Sequence, residues 1–163
     1  MKWVISLFTI CGLFASCKSS KAPVDQPTNG EEISFEIIAS GGQSGLQVES
    51  IRLISDMQSW AEHWKASTSN RFPAPTVPEI DFEKYQMITA FMGMKNTGGY
   101  EIKISSILVR DDSYLVNLTY TSPGKDCMVT EALTSPFAMV KIERQEINQI
   151  NSNINRQTVD CGN

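Results

Sequence analysis

The chain has 163 residues, 41% of them hydrophobic and 20% charged, and a formal net charge of −4 at pH 7. This length is enough for one domain with a hydrophobic core, and the composition is ordinary for a folded protein. The sequence contains no basic block, which argues against a nucleic-acid partner because such partners need clustered lysine and arginine. A weakly acidic charge says little more about partners.

The first 16 residues form a distinct segment. Lys2 is the only charge before an apolar run at 3–16, which is too short to span a bilayer as a helix. A cationic start, an apolar middle and small residues at the end are typical of a secretory signal. The run ends in "FASC", residues 14–17, which resembles a bacterial lipobox. We therefore predict a lipoprotein signal peptide at 1–16 and lipidation of Cys17, with an ordinary secreted protein as the alternative.

A polar spacer separates this signal from the rest of the chain. Residues 17–32 are rich in serine, proline and charged side chains, so they cannot bury a core and are typical of a flexible tether. From residue 33 the pattern changes to short β-prone runs, and we place the folded domain at 33–144. Residues 145–163 are polar and asparagine-rich, and we interpret them as a C-terminal tail with at most a weak helical stripe of isoleucines.

The β-prone runs of the domain predict strands of different burial. Two runs at 33–39 and 46–54 flank a glycine-rich stretch, which predicts a hairpin loop between them. The segment Met87–Gly93 is apolar almost throughout and predicts a strand buried on both faces. Later runs alternate apolar and polar residues, and a phase slip near Ser105 predicts a bulge. A turn is predicted at the Asp111–Asp112 pair.

One helix is indicated between these strands. Ser55 and Gln58 have the spacing of a capping box. Apolar residues then recur at the spacing of one helical face: Met57, Trp60, Ala61 and Trp64. His63, the only histidine, lies beside this stripe, and we predict that it is a surface residue. The fold class predicted is α+β, mainly β: an antiparallel sheet, sandwich- or barrel-like, with one amphipathic helix packed on it.

Two cysteines remain once the predicted signal and lipidation site are set aside. Cys127 and Cys161 would lie in an oxidising compartment, where a disulfide between them would tie the polar tail to the domain. The alternative is two free thiols. We predict the disulfide.

Residues suited to catalysis or metal binding are scarce. A single histidine leaves almost no material for a nucleophilic triad, and a zinc site needs several histidine or cysteine ligands. The carboxylate pairs Glu31–Glu32 and Asp111–Asp112 fall in the predicted tether and the predicted turn, where solvated charge is the default. We therefore predict no enzyme activity, no metal and no cofactor.

The most distinctive loop is Asn96–Tyr100, "NTGGY". Glycines allow positive φ and let another backbone approach closely, and tyrosine is enriched at interfaces. An alternating strand rather than a helix follows, so the loop is not a phosphate cradle. We predict an interaction loop formed by Asn96, Thr97, Gly98, Gly99 and Tyr100. The alternative is that Thr97–Tyr100 is simply the hairpin turn between two core strands, with Tyr100 packed inside.

Three segments together resemble a known family. They are "SDMQSWAEHW" at 55–64, "IDFEKYQMITAFMGMKNTGGYEIKISSI" at 80–107 and "LTSPFAMVKI" at 133–142. In this order they resemble the C-terminal domain of the PrcB family of protease-complex subunits, and the resemblance covers about Ser34 to Glu143, most of the predicted mature chain. The resemblance implies a bacterial cell-envelope lipoprotein that keeps a partner protease complex stable without catalysis of its own.

The loop Asn96–Tyr100 is also similar to a loop of chagasin-like inhibitors of cysteine proteases. We therefore predict a non-catalytic interaction subunit of an envelope complex, with a chagasin-like inhibitor using Asn96–Tyr100 and a structural surface lipoprotein as alternatives. The expected partner is a protein, for which the resemblance implies a secreted or surface protease. The expected location is the outer membrane, through the lipid anchor, because Lys18 rather than aspartate follows Cys17.

Overall fold

The structure is a computed structural model that describes residues 30–162. The predicted signal peptide at 1–16, the lipidation site Cys17 and most of the predicted tether lie outside the described residues. The elements, numbered in chain order, are β1 (Glu31–Ile33), β2 (Phe35–Gly41), β3 (Glu49–Ile54), α1 (Met57–Ser67), β4 (Tyr85–Met92), β5 (Glu101–Arg110), β6 (Ser113–Pro123), β7 (Phe137–Glu143) and β8 (Gln149–Val159). Between residues 30 and 162, no helix is long and apolar enough to cross a membrane.

The strands form two four-stranded sheets. Sheet 1 has the order β1-β5-β6-β8, and sheet 2 has the order β2-β7-β4-β3. Every pairing is antiparallel except that of β6 with β8, which is parallel. The predicted fold class, α+β and mainly β with antiparallel-dominated sheets, is confirmed. Of the two architectures considered, the closed barrel is not formed, because each sheet keeps two edges.

The two sheets bury a shared core between them. Alternating residues of β6 face this core, as the sequence pattern predicts: Tyr114, Val116, Leu118 and Tyr120 are all buried. They meet Ile88 and Ala90 of β4 and Val140 of β7 from the opposite sheet. The predicted bulge in β5 is confirmed by a register shift between Ile104 and Ser106, and the predicted turn at Asp111–Asp112 joins β5 to β6.

A second core lies on the outer face of sheet 2, beneath α1. Trp60 and Trp64 of the helix pack there with residues of β4 and β7 that point away from the first core: Met87, Phe91, Phe137 and Met139. Strand β4 is therefore buried on both faces, which confirms the prediction for Met87–Gly93. A strand between a helix and another sheet needs apolar side chains at every position, because neither face meets water.

The helix begins one residue later than the capping box predicted. Its N-cap is Asp56, whose Oδ1 accepts a hydrogen bond from the Ser59 backbone N–H at 2.8 Å. The Ser55 hydroxyl instead accepts a hydrogen bond from the Gln86 side-chain amide at 3.0 Å. The Ser55–Gln58 capping box is therefore wrong. Aspartate and serine are comparable N-caps. Here the Ser55 hydroxyl is already hydrogen-bonded to the buried Gln86, so Asp56 caps the helix.

The glycine-rich stretch after β2 is not a hairpin loop. Strands β2 and β3 lie at opposite edges of sheet 2, with β7 and β4 between them, so this connection crosses one end of the sheet. The Gly45 backbone N–H donates a hydrogen bond of 2.6 Å to the Ser67 carbonyl at the end of α1. A Cβ on Gly45 would overlap the Ala66 carbonyl oxygen. The glycine permits this close approach to the helix rather than a tight reversal.

Both ends of the predicted domain extend further than the sequence indicated. Glu31 and Glu32, assigned to the tether, lie in β1 and pair with Val109 and Leu108 of β5. The predicted polar tail contains β8, eleven residues long, which pairs with β6 along its whole length. The weak helical stripe is therefore wrong. Isoleucines four residues apart fit one face of a strand as well as one face of a helix, and here they face the core between the sheets.

Candidate functional site

The loop Asn96–Tyr100 connects the two sheets rather than two strands of one sheet. It leaves sheet 2 after β4, which is followed directly by Gly93 with a φ of 72°, and it enters sheet 1 at β5. The alternative of a hairpin turn between two core strands is therefore wrong, because β4 and β5 lie in different sheets and do not pair. The loop forms part of one end of the molecule, together with the connections that precede β3 and β7.

The backbone of the loop is bonded to the segment that precedes β7. Lys95 and Thr134 exchange two main-chain hydrogen bonds of 2.8 and 3.0 Å. The Gly98 N–H donates to the Thr130 carbonyl at 2.9 Å, and the Thr134 hydroxyl donates to the Thr97 carbonyl at 2.7 Å. The loop is thus fixed against residues 130–134 and does not project freely, which does not favour the inhibitor alternative.

Positions 98 and 99 each require glycine, for different physical reasons. A Cβ on Gly98, which is buried, would overlap the Thr130 hydroxyl oxygen. Gly99 has a φ of 82°, in the region that favours glycine, and a Cβ there would lie 2.9 Å from the Val129 Cγ1 and 3.1 Å from the Pro123 Cβ. Both glycines therefore allow the loop to pack against its own chain.

Tyr100 is half-buried and packs against the core between the sheets. The Lys95 ammonium lies 5.8 Å from the centre of its ring, within the range of a cation–π contact. The Tyr100 ring therefore lies between the loop and the core and packs against both. Binding of a partner by Asn96, Thr97, Gly98, Gly99 and Tyr100 remains a prediction.

The "LTSP" segment anchors the same end of the molecule. The Ser135 side chain is buried, and its hydroxyl shares a hydrogen bond of 2.7 Å with that of Ser44 and donates to the Leu46 carbonyl. Since Thr134 also holds Thr97, the "TGGY" and "LTSP" motifs form one bonded cluster of loops. Sequence analysis singled out both motifs, but the contact between them depends on the pairing of distant strands.

Two exposed apolar side chains line a cavity of about 330 Å³ at this end, and two more lie on segments that contribute to its lining. Met94 and Leu133 line the cavity, Val48 follows the lining residue Gln47, and Phe72 lies two residues beyond the lining residue Asn70. Their exposed fractions are 47, 59, 75 and 101%, in the order Met94, Leu133, Val48, Phe72. We call these four residues the end surface. They are half of the eight large apolar side chains exposed in residues 30–162.

Hydrogen bonds hold the segments of the end surface together. The Arg71 guanidinium donates to the Gln43 carbonyl at 3.3 Å, and the Gln43 side chain donates to the Leu133 carbonyl at 2.9 Å. The Met94 N–H donates to the Gln47 carbonyl at 2.9 Å. Side chains from four separate loops are therefore held in place by hydrogen bonds between the loops, which limits the conformational entropy lost when a partner binds.

His63 lies in a groove between α1 and β3 and is not a free surface residue. Its imidazole is half-buried, shares a hydrogen bond of 3.1 Å with the Thr89 hydroxyl of β4 and packs edge-on to the Phe91 ring. Burial of the ring, and secondarily the charge of Arg52, lower the pKa of His63 from its usual value of 6.5. Sequence analysis missed this position because the residue lies beside the apolar stripe, while β4 reaches that flank of the helix.

The lowered pKa gives a measurable prediction. Because His63 is the only histidine, NMR of the full chain will show a single imidazole titration, and we expect its midpoint below 6.5. As the pH falls, the imidazole is protonated first in the unfolded chain, because its pKa is higher there than in the folded state. Stability from the neutral ring is therefore complete above about pH 6.5 and is lost as the pH falls through the lower folded-state pKa. Arg52→Gln should raise the midpoint only part of the way back toward 6.5, since burial of the ring is the larger cause of the lowered pKa. A midpoint at or above 6.5 would contradict this account.

The described residues offer no cluster for metal binding. No group of three or more histidine, cysteine, aspartate or glutamate side chains converges within residues 30–162. Of the carboxylate pairs noted in the sequence, Glu31–Glu32 lies in β1 and Asp111–Asp112 in the turn after β5. Cys127 and Cys161 form a disulfide in the structure, which joins the segment after β6 to the end of β8.

These features define an α+β protein of two packed sheets, with a bonded cluster of loops presenting apolar side chains at one end. Residues 87–143 match the family described as PrcB C-terminal. The match confirms the resemblance found in the sequence, and it runs from β4 through the loop cluster to the end of β7. No curated protein and no solved structure matches the chain.

Proposed function

We propose that the protein is a non-catalytic subunit of a protease complex in the bacterial cell envelope. A lipid on Cys17 holds it at the outer membrane, and the folded domain binds a partner protein. The PrcB C-terminal match supports association with a protease complex, and the lipobox-like sequence at residues 14–17 supports the anchor. One acyl chain binds a membrane only weakly, so stable anchoring requires further acylation of the same cysteine.

The observation that carries the proposal is the end surface. Exposed apolar side chains are normal when scattered, but several around one cavity mark an interaction site. Here Met94 and Leu133 line the cavity, while Val48 and Phe72 are exposed on the segments 42–48 and 69–75, which contribute other lining residues. A rigid, concave and partly apolar surface suits the insertion of an apolar side chain from another protein.

Charge around the cavity indicates what else the partner carries. The segments that form the end surface are 42–48, 69–75, 93–100 and 130–136. They contain two cations, Arg71 and Lys95, and one carboxylate, Glu131. The whole chain has a net charge of −4, so this end is positive relative to the rest. The occupant that fits is a protein segment with an apolar anchor and neighbouring acidic side chains.

Affinity purification from the native host tests this surface. We expect the double variant Met94→Glu/Leu133→Glu to lose partner recovery at least tenfold, because two carboxylates would be buried against an apolar anchor. The matched control is Ile37→Glu/Met57→Glu, which changes two exposed apolar side chains on β2 and at the start of α1. Equal recovery from both folded variants would contradict the proposed site.

A further inference from the structure

Strand β8 is a sheet edge that lacks the protection seen at the other edges. Exposed edges invite pairing, and proteins blunt them with short strands, bulges, prolines or charges. Strand β1 has three residues, β2 has a register shift between Ile37 and Ala39, and β3 has six residues that include Glu49 and Arg52. Strand β8 has eleven residues, pairs with β6 without any register shift and contains neither proline nor lysine.

The free edge of β8 presents alternate backbone groups. The Val159 carbonyl accepts a hydrogen bond from the Gly124 N–H at 2.8 Å, so Val159 directs its backbone groups toward β6. Alternate residues of a strand point their N–H and C=O groups to opposite sides. Five residues of β8 therefore direct these groups away from β6: Ile150, Ser152, Ile154, Arg156 and Thr158. In the described part of the chain, no strand lies on that side.

The side chains of β8 are suited to pairing with themselves. Arg156 is the only charged residue of the strand, and its guanidinium binds the Glu49 carboxylate at 2.7 Å. Along the outer face, Asn151, Asn153 and Gln157 donate hydrogen bonds to the side chains of Ser113, Asn117 and Thr121 on β6. Each of these amides retains a second N–H and a carbonyl oxygen for a neighbouring strand. Two copies would thus meet without like-charge repulsion.

We propose that β8 pairs antiparallel with β8 of a second copy, around a twofold axis at Ile154. In this register Ser152 faces Arg156 of the second copy, and Asn153 faces Asn155 of the second copy. The five outward residues of each strand would form about ten main-chain hydrogen bonds. A register centred on Arg156 would place two arginines face to face, so charge disfavours that shift. The two copies of sheet 1 become one continuous eight-stranded sheet.

This contact is at the small end of protein interfaces, below about 1,200 Å² of buried surface, so it is reversible in dilute solution. Anchoring both copies to one membrane would raise their effective concentration and favour the pair. The inference does not rest on the proposed function, because β8 pairing uses none of the end-surface residues. Loss of dimerisation and loss of partner recovery are therefore separate results.

Sedimentation of the full chain in mild detergent, from about 1 to 500 μM, tests the pairing. We expect a concentration-dependent monomer–dimer equilibrium for the wild type and for Ser152→Ala. Ser152→Pro removes an outward N–H, which an edge strand tolerates, and should raise the dimer dissociation constant at least tenfold. A wild-type chain that stays monomeric throughout the range would overturn the proposal. Equal dissociation constants for the three proteins would do the same.

Cysteine cross-linking tests the register. Asn153→Cys/Asn155→Cys places two pairs of opposed cysteines across the twofold axis, with Cα atoms about 4.5 Å apart, and these should form an intermolecular disulfide. In the control Asn151→Cys/Asn155→Cys, the cysteines of the two copies are offset by two residues and should cross-link at least tenfold less. Equal cross-linking of both variants on a non-reducing gel would overturn the proposed register.

Discussion

Replacing Trp60 by alanine is expected to lower the free energy of unfolding by about 4 kcal/mol. The side chain is completely buried in the core beneath α1, and its ring centre lies 5.3 Å from that of Trp64. Its indole N–H also donates to the Pro78 carbonyl at 2.9 Å, so truncation leaves an unpaired acceptor as well as a cavity. Urea unfolding of wild type and variant, followed by far-UV circular dichroism, measures the difference.

Two control variants separate packing from other effects. Trp60→Phe keeps most of the ring volume but loses the hydrogen bond to Pro78, so we expect a loss of about 1–2 kcal/mol. Met57→Ala changes an exposed residue of the same helix and should alter stability by less than about 0.5 kcal/mol. If the free energy of unfolding of Trp60→Ala lies within about 1 kcal/mol of the wild-type value, α1 does not cover sheet 2 as described.

The result bears on how the family resemblance is interpreted. A helix with two tryptophans is one of the motifs on which the sequence resemblance to PrcB proteins is based, and it lies outside the matched residues 87–143. In the structure both indoles face inward, with their N–H groups donating to Pro78 and to Pro75. Their role is to cover the outer face of β4 and to fix the proline-containing connection that follows the helix. The tryptophans are therefore not available to a partner, and the surface proposed for partner binding lies instead on the loops at the end of the sheets.

The features that sequence predicted best depend on local periodicity. The burial of β4 on both faces follows from an unbroken apolar run, and the inward face of β6 follows from strict alternation. The bulge after Ile104 is visible as a phase slip, since an extra residue exchanges the two faces of a strand. Each of these predictions needs only neighbouring residues, so the sequence contains enough information for them.

The features that sequence missed depend on distant partners. Nothing near Gly41 indicates that β7 and β4 will separate β2 from β3. Strand β8 is polar on its exposed face, and its place in the sheet is set by β6, whose local pattern says nothing about a parallel neighbour. The burial of His63 similarly depends on Thr89 and Phe91, more than 25 residues away in the sequence.

The candidate site shows the same division. Residues 97–100 and 133–136 stand out in the sequence as motifs, and glycine at 98 and 99 indicates a close approach. Of the four residues of the end surface, however, three lie outside these two motifs: Val48, Phe72 and Met94. Isolated exposed apolar residues give no pattern, and only the hydrogen bonds among separate loops bring the segments that carry them to the same end of the molecule.

Loss of the Cys127–Cys161 disulfide is expected to lower the free energy of unfolding by about 4 kcal/mol. The bond joins residues 34 positions apart and so closes a loop of 35 residues, counted inclusively, that contains β7 and β8. Opening it frees the unfolded chain to adopt many more conformations. Cys161 is exposed and Cys127 is half-buried, so serine at both positions leaves little empty volume in the core. The effect therefore reports the constraint on the chain.

Urea unfolding of Cys127→Ser/Cys161→Ser beside the wild type measures this effect, with reduced wild type as the matched control. Both should unfold at lower urea concentration, with a steeper dependence on urea because the unfolded chain is more expanded. Hydrogen exchange should also quicken first at the end of β8 and in residues 124–136, which the bond joins. Since Thr130 and Thr134 hold the "TGGY" loop, this loosening would reach the end surface. An unchanged urea midpoint in the reduced protein would show that the bond does not constrain this part of the fold.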